Sequence, residues 1–252
     1  MKIVNASKVP DIIFKWLQQD FYDSDEAEGT LSITTLLKPV QETVLIQRHN
    51  EDITVDAMER LFSLLGSGVH AVLEKVESKD IVPIERLFWE IEGRKISGKY
   101  DLIRKKSNKV TDFKVTSAWS VVYGSRIDDW RHQLSSYRYL YFKNKKVLLS
   151  DVGSIIGIFR DWRESDAQKE GYPKQPIMEM NVKLLGIDET ESFLKDKVKN
   201  IIRTEPLADN RLPQCSDEDR WFNPRSRKNA KCEKYCLASE FCSQWKRIKA
   251  VA

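Results

Sequence analysis

Nowhere in its 252 residues does the chain carry an apolar run approaching the roughly 20 residues that span a bilayer. Its opening, MKIVNASKVPDIIFKWLQQD, interleaves charges with apolar side chains and has no cleavage-site pattern of a secretory leader. The expectation is therefore a soluble, cytoplasmic protein without membrane association. No glycine-rich loop of the phosphate-cradling kind is present, which argues against a nucleotide triphosphatase. No internal repeat or low-complexity segment is found. Neither sign of charge dominates: 42 Lys and Arg stand against 38 Asp and Glu, a net +4 in a chain that is 32% charged. This mild basic bias permits nucleic-acid binding without demanding it. Cysteine is missing from the first four-fifths of the chain and then occurs four times, at Cys215, Cys232, Cys236 and Cys242. Clustered cysteines in a chain that is neither short nor secreted point to a bound metal or metal cluster before disulfides.

A hydrophobic fraction of 41% is enough for one well-formed core with a small appendage. Apolar spacing predicts helices over residues 9–19 and 56–76, the second with Met58, Leu61, Leu64, Leu65, Val69, Val72, Leu73 and Val76 on one stripe. Gly66 and Gly68 interrupt that stripe, so close packing or a bend is expected there. Strands are expected over 87–92, 95–103 and 110–115, the last two joined by the polar turn 105–109. A helix over 129–141, strands over 153–159 and 177–185 and a helix over 188–204 follow. The acidic residues Asp188, Glu189 and Glu191 open that last helix, where its dipole favours them. Beyond residue 206 the chain turns polar and basic. The expected organisation is a lead-in over 1–54, a core over 55–206 and a cysteine-rich tail over 207–252. Helix, three strands, helix, two strands, helix predicts an α/β fold with a central mixed sheet flanked by helices.

The informative stretch is Gly98–Lys99–Tyr100–Asp101, then Thr111–Asp112–Phe113–Lys114. Two strands joined by a short turn bring Asp101 and Asp112 to one sheet edge, and Asp112 and Lys114, two apart, share a face. Taken alone, an acid and a lysine so spaced describe many solvated hairpins. Two carboxylates and an amine gathered on a strand whose other face is apolar are, however, costly without a purpose. Hydrolysis of a phosphodiester supplies one: the acids hold one or two Mg2+ ions, and the lysine positions water or offsets charge at phosphorus. His70, with Glu74 four residues on, is a candidate additional ligand, and Gln133 and Tyr137 share a helix face from which they support the site.

The order of these parts resembles the RecB-like branch of the PD-(D/E)XK nucleases. That branch includes the nuclease domains of recombination helicase–nucleases, phage exonucleases and the iron–sulfur nucleases of CRISPR adaptation. Its G-x-x-H-x-x-x-E element is matched by Gly66/Gly68, His70 and Glu74. Its G-x-x-D strand is matched by Gly98 and Asp101, its D/E-x-K strand by Asp112 and Lys114, and its Q-x-x-x-Y helix by Gln133 and Tyr137. The resemblance covers about residues 55–245. It implies a restriction-endonuclease-like core and Mg2+ or Mn2+ held by His70, Asp101, Asp112 and the main-chain carbonyl of Phe113. It further implies Lys114 as the catalytic amine, with Gln133 and Tyr137 in support.

Cys232-x3-Cys236-x5-Cys242, with Cys215 upstream, suits either a [4Fe–4S] cluster, the first expectation, or a tetrahedral Zn2+ in a metal knuckle. The iron–sulfur members of the branch also keep a five-residue gap, but with two residues in the preceding gap and one cysteine ahead of the core. The tail, polar and without an evident core of its own, would be stapled by such a group. Its Arg220, Arg225, Arg227, Lys228 and Lys231, interleaved with aromatics, are candidate DNA contacts, or equally a solvated basic surface. Trp16, Trp89, Trp119 and Trp162 are expected to pack rather than to stack on bases. The expected function is a divalent-metal-dependent deoxyribonuclease on single-stranded DNA or duplex ends, in recombination, repair, phage DNA processing or CRISPR adaptation, alone or beside a protein partner of those pathways. The alternatives are a silent DNA-binding adaptor on the same scaffold and an enzyme for another phosphate ester.

Overall fold

A computed structural model describes residues 1–18 and 29–251. In chain order the elements are β1 (Lys2–Val4), α1 (Asp11–Gln18), β2 (Leu31–Ser32), α2 (Ile33–Leu36), α3 (Val40–Arg48), β3 (Thr54–Asp56) and α4 (Leu61–Leu73). Then come β4 (Arg86–Ile91), β5 (Arg94–Lys99), β6 (Leu102–Arg104), β7 (Lys109–Thr116), α5 (Ala118–Val122), α6 (Ile127–Lys145), β8 (Val152–Phe159) and β9 (Ile177–Lys183). The chain ends with α7 (Ile187–Thr204), β10 (Phe222–Asn223), β11 (Lys228–Asn229), α8 (Ala230–Lys234) and α9 (Ser243–Val251). Gln19, the last residue of the first expected helix, lies outside the described residues.

The fold is mixed α/β, as the element order implied. The described residues form two compact units. One comprises residues 29–37 and 62–194. The other gathers residues 1–18 and 38–61 with 195–251, so the cysteine-bearing region is joined by two early segments of the chain and begins inside α7 rather than after residue 206.

In the first unit the expected central sheet is divided in two. Strands β6-β7-β8-β9 form a four-stranded sheet, with β7 and β8 parallel and the outer pairs antiparallel, and β2-β5-β4 form a three-stranded one. The single strand expected over 95–103 breaks at Tyr100–Asp101, between β5 and β6. Two side chains account for the break. Tyr100 is buried, with its hydroxyl donating to the Pro83 carbonyl at 2.6 Å, and Asp101 accepts the backbone N–H of Phe113 at 2.8 Å. Both replace ladder bonds with side-chain bonds at the crossing from one sheet to the other.

Helix α6 covers this unit's core. Acids Asp128 and Asp129 sit in its first turn and Lys143 and Lys145 in its last, each complementing the helix dipole. It ends at Lys146 in the left-handed conformation, φ 58°. Leu134, Tyr139 and Leu140 are fully enclosed. The helix approaches β5 so closely at Gly98 that a Cβ there would lie 2.8 Å from Leu140 Cδ1 and 3.1 Å from Tyr137 Cδ1. That glycine is therefore set by packing. Gly66 and Gly68 are not: α4 runs through both without interruption, and a Cβ at either meets nothing within 4 Å. Trp119 and Trp162 pack as expected, on a small cluster around Ala118, Phe159 and Tyr172, with Trp162 Nε1 donating to the Pro173 carbonyl at 2.9 Å.

The second unit has its own core, contrary to the expectation that the tail lacks one. Val44 and Leu45 of α3 pack with Leu212, Ala238 and Cys242, flanked by Phe241 and Trp245. Asp209 ties the same segments from outside, accepting from Arg48 and lying 2.7 Å from Nε2 of His49, whose ring stacks on Phe241 at 4.1 Å between centroids.

Candidate functional site

The register of β6 against β7 pairs Leu102 with Thr111. One step further back along β6 and forward along β7 brings Asp101 beside Asp112. Alternation along β7 then puts Asp112 and Lys114 on one face. Lys114 Nζ lies 2.7 Å from Asp112 Oδ2. On α4, His70 reaches the same place, with Nδ1 3.2 Å from Asp101 Oδ1, while the other Asp101 oxygen holds the N–H of Phe113. Two polar pairs, His70–Asp101 and Asp112–Lys114, thus lie side by side, with the Phe113 main chain bonded to Asp101 between them.

Burial makes the arrangement costly. Asp112 is only 2% exposed. Its Oδ2 is enclosed, and although the Lys114 ammonium is near, their alignment falls short of a hydrogen bond, so the contact is one of charge. Burial pushes the Asp112 carboxyl well above its ordinary range; the Lys114 charge opposes that shift and the Asp101 charge adds to it. Asp101 moves the other way. Burial raises it, but the hydrogen bond and charge of His70, with the Phe113 N–H, outweigh burial and hold it below the usual carboxylate value. Burial alone would lower the pKa of His70; the bond to Asp101 and the charges of both aspartates raise it instead. The two neighbouring carboxylates are thus pushed apart in pKa. Among the described residues no three His, Cys, Asp or Glu side chains already converge as they would around an ion: His70 pairs with Asp101, and the Lys114 ammonium lies against Asp112.

The remaining expected residues lie as follows. Gln133 and Tyr137 are a buried pair on α6, Gln133 Nε2 donating to the Tyr137 hydroxyl at 2.9 Å, and the Tyr137 ring lies beside Gly98. Glu74 sits just past α4 and pairs with Lys99 at 3.0 Å, fastening α4 to the end of β5 rather than facing the acids. Gly98 enters the sequence reading as a motif position; the close approach of α6 is what requires it.

In the second unit Cys215, Cys232, Cys236 and Cys242 line one small cavity of about 20 Å3, with Gln41, Glu42 and Gln244 among its walls. Burial, then the nearby negative groups, push the Cys215 thiol up to about 12, and burial does the same for Cys236, also to about 12. The wall residues had no signal in the sequence. Gln41, 174 positions away, accepts from the Cys215 thiol at 3.3 Å, and Gln244 brackets the Cys215 main chain, accepting from its N–H at 2.8 Å and donating to its carbonyl at 2.9 Å.

Two of the candidate DNA contacts are taken up internally. Lys231 pairs with the buried Glu42 at 2.6 Å, and Arg220, largely enclosed, bonds Asp217 and Asn229. These are ties within the unit. Arg225, Arg227 and Lys228 are exposed around the β10–β11 hairpin.

The fold and these pairs together define a mixed α/β protein with a partly buried constellation of two acids, a lysine and a histidine around the start of β6 and the middle of β7. The chain shares its fold with SSO0001, whose crystal structure aligns over 92% of this chain and 94% of that one with a TM-score of 0.58 and 19% sequence identity. No family model matches the sequence. No curated protein matches it either.

Proposed function

We propose that this protein is a divalent-metal-dependent deoxyribonuclease of the PD-(D/E)XK type, working in the cytoplasm on single-stranded DNA or duplex ends. The observation that carries the reading is the meeting of His70, Asp101, Asp112 and Lys114 in one place, in the order along the chain that the RecB-like branch has. The residues suit a hard cation. Asp112 Oδ2 is an enclosed oxygen faced by the Lys114 ammonium, and Asp101 and the carbonyl of Phe113 add oxygen donors. His70 adds a nitrogen. A bound Mg2+ or Mn2+ would polarise the scissile phosphate and lower the pKa of water. The chain's own residues do the rest. Asp112 holds the Lys114 ammonium beside the reacting phosphate, where it offsets the charge that builds at phosphorus. The Phe113 N–H fixes Asp101, and the Gln133–Tyr137 pair stiffens the face of α6 that packs on β5.

The four thiols fit a second, structural group. Cys215, Cys232 and Cys236, raised in pKa and lining one cavity with Cys242, release protons when a cation replaces them, and the group staples the unit. A [4Fe–4S] cluster is the first choice and Zn2+ the second; visible absorption of anaerobically purified protein separates them, because zinc is colourless.

The test is a digestion time course on end-labelled single-stranded, duplex and branched DNA with Mg2+ or Mn2+. Wild-type protein should cleave, and Asp112→Asn or Lys114→Ala should cut the rate by about 10^3-fold or more while the folded state persists. Cleavage retained by both variants would sink the site. No cleavage of any substrate by wild type would leave a DNA-binding adaptor as the better reading.

A further inference from the structure

The cysteine-bearing unit holds a cavity far larger than the cysteine cage. It measures about 490 Å3, within the size range of small-molecule sites, and lies between the end of α7, the start of α3 and the loop leading to Cys215. Lys197, Asn200 and Arg203 line it from α7 at successive spacings of three, so one helix face supplies all of them. Arg211 and Gln214 line it from the loop, and Pro39 and Pro213 give it rigid apolar walls.

The charge in this cavity is one-sided. Three cations face it against one carboxylate, Asp219, which is already engaged: its Oδ2 accepts the Ser216 N–H at 3.0 Å. Among the described residues the Arg203 and Arg211 side chains make no ion pair or hydrogen bond, whereas Arg48 nearby in the same unit is consumed by Asp209 and by the carbonyls of Glu205 and Leu207. Lys197 is half-buried and already has a partner within the protein, and burial lowers its pKa despite the opposing charge of Asp219. A concave site that spends burial on a cation and leaves two guanidinium forks unused is built for an anion with several oxygens in a plane or tripod. Phosphate meets that description. The apolar walls and a volume well beyond one phosphate leave room for the sugar or base it carries.

We propose that this cavity is a second, non-catalytic site that takes a phosphate-bearing nucleotide of a nucleic-acid strand, with Lys197, Arg203 and Arg211 on the phosphate. That the phosphate belongs to a nucleic-acid strand, and that the strand is DNA, rests on the nuclease reading above. The anion chemistry stands without it.

The experiment is fluorescence-anisotropy binding of a labelled single-stranded oligonucleotide without divalent metal, in full-length protein carrying Asp112→Asn so that no strand is cut. Arg203→Glu with Arg211→Glu should weaken binding at least tenfold. The dependence of log affinity on log salt should flatten by about 0.7 for each phosphate that is no longer neutralised. Lys197→Gln should act in the same direction more weakly. Circular dichroism and the metal content of the cysteine site, unchanged in these variants, exclude misfolding as the cause. Competition with a nucleoside monophosphate, inorganic phosphate and the unphosphorylated nucleoside distinguishes the sources. Displacement by the monophosphate alone marks a strand end, and no displacement by any of them, together with the arginine-dependent weakening, marks an internal diester; either supports the site. Binding and salt slope unchanged in the double reversal would overturn it while leaving cleavage, and the nuclease reading, untouched. If wild-type protein neither cuts nor binds DNA, the nuclease reading fails; the cavity proposal then stands only if the monophosphate itself binds in a manner abolished by replacing Arg203 and Arg211.

Discussion

The two units bring polar side chains together by opposite means. In the first, the acids and the lysine come from adjacent strands, and a register of two residues per face places them. Only His70 arrives from elsewhere. In the second, the cysteine cage is closed by residues that share no local pattern with it: Gln41 and Glu42 from α3, and Gln244 from the end of the chain. The first unit carries its cost in one fully buried carboxylate set against a lysine; the second carries it as four thiols and a buried Lys231–Glu42 pair around a cavity. A site made by strand register keeps its geometry whether or not a ligand is bound. A site made by distant segments depends on whatever holds those segments together.

That contrast can be broken most severely at the cysteines. Cys236→Ser should cost several kcal/mol of stability in the second unit, read as rapid hydrogen exchange and proteolysis across residues 207–245. Protection of β7 and β8 should persist. Equal loss in both units would mean that the two are not separately held. Glycines sharpen the comparison within the first unit. Gly98→Ala forces a methyl group against Leu140 and Tyr137 and should destabilise by about 1–3 kcal/mol. Gly66→Ala, with open space around it in α4, should stabilise by about 1 kcal/mol. Thermal denaturation of the two variants reads both signs.

The smallest expected effect is that of pH on the His70–Asp101 pair. The His70 pKa is raised in the fold, so its contribution is complete below the unfolded value near 6.5 and is lost as pH rises through the folded value. The Asp101 pKa is depressed, so its contribution is present above about 3.8 and is lost as pH falls through the folded value. The pair therefore stabilises fully between these limits. In metal-free buffer, the stability difference between wild type and His70→Gln should be greatest near pH 5–6, at no more than about 1 kcal/mol, and should shrink toward pH 9. A difference that grows with pH would contradict the assignment.

Much of the first unit was legible in the sequence because its periods are local. The alternation in 110–115, the helical stripe of α6 and the acid-opened α7 each announce themselves within a dozen residues. Asp101, Asp112 and Lys114 were legible for the same reason. The break at Tyr100–Asp101 was not, because it depends on a hydroxyl finding Pro83 and a carboxylate finding Phe113, bonds that no periodicity encodes. Nor were the short elements β1, β2, β3, α2 and α3, several of which are two to four residues long and take their conformation from partners far along the chain. The expectation of a coreless tail failed on the same ground: two of the five buried residues of that core, Val44 and Leu45, come from α3.

The central claim is that Asp101 and Asp112 share a hard cation. Mn2+ titration followed by electron paramagnetic resonance tests it most directly, since the thiols of the other unit do not compete for a hard ion. Wild-type protein should bind Mn2+. Asp101→Asn and Asp112→Asn should each weaken that binding at least tenfold, with Lys114→Ala leaving it largely in place. Mn2+ affinity indifferent to both aspartates would contradict the account, whatever the protein proved to cleave.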